Sequence, residues 1–473
     1  MSPKARTTEK LKNVVLVVLF ITAILLLYLL WRGDSASALR LSDLIPFSGE
    51  PAYVPACEDV IVPKSLIISD GSGSFAVKRD GLKDAFSKAC ELSKELCAGS
   101  ANVDEITQEQ FETARDSYPS ALLYWDYPIP AQEFFEYFGI DAGTSLSGLG
   151  NIRCLGFSEA EISSLFIADP EAGTYYRLVA SEEHPGFTEQ LSSFAEGVEK
   201  VYYPAFAVLG GESGALIPLK MSSSLTECSF EPEGGSDPQK YYNSVAETIF
   251  GDTFDFVRRI TDSFGNVTYM YGYGAKTFTV FAAGGIEYKA ETEGSSRGFF
   301  GDLKTALEFA GKCGAFPEDK RLSYRLADYS VSGTGRLRVY EFRFAACVDG
   351  AVVYRESGYP FTVVVSRGAV SDYLGDGIVV SYGQTSGGAA AVDAVNTVAN
   401  NSNHMYKVLN GDVLSENSDE AFNFVSGSLT GMSSGYYENK AARVLVPCWV
   451  VTTAQGTVFY FNLYDGTPLG YSE

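Results

Sequence analysis

Histidine is scarce in this chain: His184 and His404 are the two present. Neither has a second histidine at H-x-x-x-H spacing, so the paired imidazoles of an H-E-x-x-H zinc site are missing. Glu182-Glu183-His184 has donor types that suit a metal, but Pro185-Gly186 follow at once and the stretch reads as an exposed loop. Gly211-Glu212-Ser213-Gly214-Ala215 approaches the nucleophile elbow, which presents a serine on a sharp strand-to-helix turn. Alanine replaces its last glycine, and no histidine obviously follows at a triad position; a flexible turn is the better reading. No S-x-x-K acylation motif occurs. The glycine-rich stretches GSGSF (71–75) and GTGRL (333–337) fail the phosphate-loop spacing and read as hairpin turns. The residues therefore assign no catalytic, metal-binding or cofactor-binding site, and a non-enzymatic protein without a cofactor is expected.

Eight cysteines are scattered at 57, 90, 97, 154, 228, 313, 347 and 448, with no C-x-x-C pair. They fit either disulfides of an oxidising exterior or buried thiols acting as small hydrophobes. The formal net charge of −23, from 36 basic and 59 acidic residues, excludes the basic footprint that nucleic acid requires.

With no reacting group to build around, the elements themselves carry the argument. Residues 14–31, VVLVVLFITAILLLYLLW, hold no charge. At about 1.5 Å per residue such a helix covers roughly 27 Å, close to the hydrocarbon thickness of a bilayer. Lys4, Arg6, Lys10 and Lys12 precede it, against Glu9 alone, which orients the N-terminus inward and the body outward. Tyr28 and Trp31 stand at the outer end, where amphipathic rings anchor a span. Ala36-Ser37-Ala38 would serve as a cleavage site, but the apolar run is longer than a signal peptide needs, and a retained anchor is expected. Thr22 and Ala23 are the small, polar pair midway along the span, the type of surface through which helices associate in lipid. They are the candidate partner contact.

The spacing predicts a cytoplasmic tail (1–12), a transmembrane helix (13–31), a Ser/Gly/Pro-rich stalk (32–55) and three exterior domains (56–235, 236–385 and 386–473). Helices are expected at 82–96, 106–116, 131–139, 241–250, 301–312 and 389–401. Strands are expected at 120–130, 174–180, 200–208 and 214–219, then as a succession of hairpins, with closing strands that include EAFNFVSGSLTG (420–431). Alternation of Val339, Glu341 and Arg343 with Tyr340, Phe342 and Phe344 predicts sheets with one helix-covered and one wetter face. The fold class is α+β, built from helix-covered antiparallel sheets.

The closing stretch 445–470, LVPCWVVTTAQGTVFYFNLYDGTPLG, places Pro447 and Trp449 on one strand, Tyr460 and Asn462 on the next, and Asp465-Gly466 at a turn. This order resembles the C-terminal end of the YycH and YycI proteins of Gram-positive bacteria, and similar hairpins close PepSY-like domains. LLYWDYPIPAQEFFEYFG (122–139) resembles an aromatic, proline-interrupted strand and helix early in YycH. The length favours YycH. The resemblance implies a regulator of the WalK (YycG) sensor histidine kinase, which governs cell-wall metabolism, acting by association with the kinase and with a sister YycI- or YycH-like protein. A wall-associated binding or inhibitor module of PepSY-like type is the alternative. The six motif residues read as structural.

Overall fold

Helical and alternating spacings become two sheets and their covering helices in a computed structural model of the chain. It describes residues 53–472 except 80, 99–101, 142–147, 160–162, 181–183, 185, 198–200, 211, 220–224, 233–237, 317–320, 357, 377, 382–390 and 412–417. The expected membrane span, with Thr22 and Ala23, lies outside the described residues. Among the described residues no helix is long and apolar enough to cross a membrane.

The first sheet comprises β1 (Ser65–Asp70), β2 (Phe75–Lys78), β3 (Asn102–Glu105), β4 (Pro119–Pro130), β5 (Asn151–Ser158), β6 (Ser164–Asp169), β7 (Thr174–Val179), β8 (Tyr202–Pro204) and β9 (Leu216–Pro218). Their order is β3-β7-β6-β5-β4-β1-β2-β8-β9. The accompanying helices are α1 (Cys57–Val60), α2 (Leu82–Cys97), α3 (Gln108–Ser117), α4 (Ala131–Phe138), α5 (Phe187–Phe194) and α6 (Ala205–Val208). Helix α2 buries Leu82, Ala85, Phe86, Ala89, Leu92 and Leu96, a three-and-four spacing that makes one apolar stripe. A capping box starts α3: Thr107 Oγ1 accepts from Gln110 N at 3.2 Å, and Gln110 Oε1 accepts from Thr107 N at 2.9 Å.

The second sheet comprises β10 (Cys228–Pro232), β11 (Arg258–Thr261), β12 (Val267–Tyr271), β13 (Lys276–Val280), β14 (Ile286–Ala290), β15 (Leu322–Ser332), β16 (Val339–Val348), β17 (Ala351–Tyr354), β18 (Phe361–Ser366), β19 (Ala369–Gly375), β20 (Ile378–Ser381), β21 (Leu429–Asn439), β22 (Val444–Thr453), β23 (Val458–Asn462) and β24 (Pro468–Ser472). Its helices are α7 (Pro238–Phe250), α8 (Gly298–Lys312), α9 (Ala394–Leu409) and α10 (Ser418–Ser428). Pairing is antiparallel except where Val353 and Tyr354 of β17 meet Tyr436 and Tyr437 of β21 in parallel. On β16, Tyr340, Phe342 and Phe344 are buried while Val339, Glu341 and Arg343 are half-buried, so the alternation does mark a covered and a wetter face. Phe299, Leu303, Ala306 and Leu307 of α8 belong to the core on the covered side.

Two elements differ from expectation. Residues 420–431 begin not as a strand but as α10, which runs to Ser428 before β21 starts. The buried apolar residues of this helix are Ala421 and Val425, four apart and therefore on one helical face. Residues 200–208 hold the short strand β8 and then α6, because Pro204 ends the ladder and fixes the first helical turn.

Candidate functional site

The closing motif is a packing device. Trp449 is 1 % exposed among Ala394, Val398 and Met405 of α9 and Val425 of α10, and its indole N–H donates to the Val392 carbonyl at 3.1 Å. Pro447 stands opposite Tyr436 in the ladder, and its carbonyl accepts from Leu463 N at 3.0 Å. Asn462 Oδ1 accepts from Tyr464 N at 2.9 Å, and Asp465 Oδ1 accepts from Thr467 N at 2.9 Å, which folds the turn over Gly466. Gly466 has φ +72°, a left-handed conformation that glycine adopts without strain. Its carbonyl accepts from Asn401 Nδ2 at 2.9 Å, pinning the turn to α9. Tyr460 lies on the other face, 5.0 Å from the Tyr437 ring and 5.4 Å from the Tyr354 ring, with its hydroxyl 3.0 Å from that of Ser472.

The polar residues singled out by type do not converge. His184 Nε2 meets Glu95 Oε2 at 2.9 Å, whereas the His404 ring lies 6.3 Å from Phe459. Ser213 is buried, donates to the Leu429 carbonyl at 2.5 Å and accepts from Ala215 N at 3.2 Å. Among the described residues no group of His, Cys, Asp and Glu is arranged to hold a metal. All eight cysteines are buried thiols. Burial pushes Cys57 up to about 11 and Cys90, Cys97 and Cys154 up to about 12, which keeps these sulfurs protonated and unreactive.

A polar constellation that spacing did not reveal sits where the two sheets meet. Strand β4 loses its register with β5 between Tyr124 and Ile129, in the stretch that holds Pro128. Such an irregularity re-aims side chains, and here it brings Tyr127 to a ring distance of 6.2 Å from Tyr329 of β15. From the second sheet, Arg325 pairs with Ala345, Cys347 with Val352, Tyr354 with Tyr437, and Gly435 with Cys448. Because side chains alternate along a strand, Arg325, Cys347, Tyr354 and Cys448 share the face away from α8. Gly435 is required there: a Cβ would come within 2.7 Å of the Val352 carbonyl and 2.9 Å of the Tyr354 ring. Arg79, just after β2, reaches across to donate to the Met432 carbonyl of β21 at 3.2 Å.

The constellation is only partly satisfied. Lys64 pairs with Asp126 at 2.7 Å, and Arg153 donates to the Asp126 carbonyl. The Asp126 side chain keeps 45 % of its surface open to solvent, so the desolvation that would raise its carboxyl is limited, and Lys64, Arg325 and Arg153 hold the group below the usual carboxylate range. Tyr354 is pushed up to about 12 by burial, with Arg325 working against the rise. In contrast, Arg79 Nε, Arg325 Nε and the Tyr127 hydroxyl are shielded from solvent without a hydrogen-bond partner among the described residues. An unmade bond of this type costs about 1–3 kcal/mol. The aromatic stretch that contains Tyr127 is visible in the sequence, but its partners lie on strands far along the chain.

No family model matches this chain, and no curated protein sequence matches it. A solved structure does: the crystal structure of YycH from Bacillus subtilis, with a TM-score of 0.54 and 10 % identity, covering 87 % of this chain and 98 % of that one. Strand-rich sheets with covering helices therefore follow a known course over nearly the whole of both chains, and this protein has the fold of YycH.

Proposed function

We propose that this protein is a non-enzymatic regulator of a WalK (YycG)-type sensor histidine kinase. It is held in the cell membrane by one helix, with residues 1–12 inside and the body outside, and acts together with the kinase and a YycI- or YycH-like sister. The observation that carries this reading is the YycH fold, shared over 87 % of this chain. The basic start and the uncharged run 14–31 support the topology.

An association role is also supported by β11, the terminal strand of its sheet path. Arg258, Arg259, Ile260 and Thr261 are all exposed, and Phe264 and Tyr273 beside it are 82 % and 99 % exposed. An open edge of this type pairs readily with another chain unless it is covered. The experiment is a kinase-dependent cell-wall reporter in a strain lacking the protein, complemented with wild type or with His184→Ala, His404→Ala or Ser213→Ala. Deletion is expected to change output, and each variant that remains folded is expected to restore it. Loss of output in a folded variant would reopen an enzymatic reading.

The alternative, a wall-associated binding or inhibitor module of PepSY-like type, draws support from the unsatisfied donors between the sheets. It would tolerate any generic anchor.

A further inference from the structure

The turn between β18 and β19 is the two-residue loop Arg367-Gly368, with φ +55° and +78°. A turn of this type favours asparagine or aspartate before the glycine, so its own geometry does not call for arginine. Arg297 stands just before α8, and Arg336 lies at the tip of the β15–β16 hairpin. These three segments touch. The Arg336 carbonyl accepts from Ser296 N at 2.9 Å. A Cβ on Gly368 would come within 2.5 Å of the Ser295 carbonyl and 3.5 Å of Arg297 Nε. In the strand order β19-β18-β16-β15 the two turns are two strand spacings apart, about 10 Å, with Arg297 between them. Arg297, Arg336 and Arg367 are all exposed, and among the described residues none of them makes an ion pair. Their neighbouring acids are engaged elsewhere: Asp302 accepts from Ser296 Oγ at 2.6 Å, and Glu133 accepts from Phe299 N and meets Arg338 at 3.5 Å.

We infer that this row of arginines is the docking surface for an acidic segment of a partner protein. Alternate side chains of an extended segment are about 6.6 Å apart and point the same way, so carboxylates at every second residue match the row. A carboxylate also matches the guanidinium fork. Leu337 and Val331, 60 % and 50 % exposed on the same hairpin, give apolar side chains of the segment a surface to lie on. A phosphate polymer has no use for that surface, and Glu291 and Glu293, on the linker that leads to Arg297, oppose its higher charge. The tips are set before the partner arrives: a Cβ on Gly333 would come within 2.5 Å of the Leu337 carbonyl, so the hairpin end is folded tightly. In a chain of net charge −23, one basic row also steers an acidic partner to one end of the sheet. The inference does not depend on the kinase reading.

The test uses the full chain in detergent micelles, titrated by calorimetry at low and at physiological salt. The probes are end-capped Glu-Leu-Glu-Leu-Glu, its neutral counterpart Gln-Leu-Gln-Leu-Gln and inorganic tripolyphosphate. The acidic peptide is expected to bind with a Kd of about 1 mM or tighter at low salt, to weaken as salt rises, and to bind more tightly than the other two. Arg297→Gln, Arg336→Gln and Arg367→Asn should each weaken it about 2- to 5-fold, and the triple variant more than about 10-fold. Arg367→Asn should also melt at the same temperature or higher, because asparagine suits the left-handed turn position; an arginine kept for structure would not behave so. Lys88→Gln, on the exposed face of α2, is the control and should bind as wild type does. The inference is overturned if the acidic peptide does not bind, if the neutral peptide binds as well, or if the folded triple variant keeps its affinity. If the triple variant melts low, the single variants decide by the same measure. Tighter binding of tripolyphosphate would assign the row to a phosphate polymer, and an equal loss in Lys88→Gln would reveal diffuse charge attraction; either result overturns the inference.

Discussion

Trp449 is the largest of the fully buried side chains among the described residues, and everything about its setting is structural. Its ring fills the space between the C-terminal strands and α9, and its N–H is satisfied by Val392. Truncation to alanine leaves a cavity and an unpaired carbonyl, at a cost of about 3–5 kcal/mol. Trp449→Ala should therefore lower the denaturation midpoint, and signalling should fall only in proportion to folded protein. A variant that melts normally but no longer signals would make Trp449 a contact residue. At Asp126 the pH dependence has a definite sign. Its folded-state pKa is depressed, so its contribution is fully present above the unfolded value of about 3.9 and is lost as pH falls through the folded value. Asp126→Asn should melt lower than wild type at pH 7, and the gap should close as the buffer is taken to about pH 2; melting curves across that range decide it. Trp449 was legible in the sequence, because an apolar strand announces its own burial. Arg355 was not. This buried guanidinium binds Glu438 at 2.5 Å and Asp376 at 2.8 Å, partners 83 and 21 residues away, and no local spacing signals such a contact.

Individual elements divide along the same line. Helices α2, α4 and α8 and the β11–β14 hairpins follow from amphipathic spacing and glycine turns, since each is decided by residues within a few positions. Helix α10 stands where a strand is expected, its burial falling on Ala421 and Val425, one helical turn apart. The edge strand β11 yields a prediction. Ile260→Lys and Phe264→Ser change exposed side chains and should leave the melting temperature within about 1 °C of wild type, since surface substitutions rarely exceed about 0.5 kcal/mol. If β11 is a partner surface, the double variant will co-purify less kinase from membranes; unchanged recovery would place recognition elsewhere. For the anchor helix, Thr22→Leu with Ala23→Leu keeps the hydrophobicity needed for insertion but removes a hydroxyl and a close-approach surface. Association should weaken by about 1 kcal/mol, roughly fivefold, in a bacterial two-hybrid assay at matched expression. Association equal to wild type would assign recognition to another face or to the body.

For the molecule as a whole, the α+β class and the helix-covered antiparallel sheets could be read from patterning, and the YycH-like course from two short motifs. The joining of the sheets could not. The parallel β17–β21 pair and the arginines between the sheets depend on strands distant in sequence, which periodicity does not connect. The most direct test of the regulator account is replacement of residues 13–31 by an unrelated membrane-spanning helix in an otherwise intact chain. Kinase co-purification and reporter output are read in the same cells, with insertion verified by protease treatment of protoplasts. The account expects the body to be digested from outside while an N-terminal tag survives. It also expects the replaced helix to reduce both kinase recovery and the effect on the reporter. An inserted, folded protein that recovers no kinase and leaves the reporter as deletion does, with its own helix as with the foreign one, would contradict it.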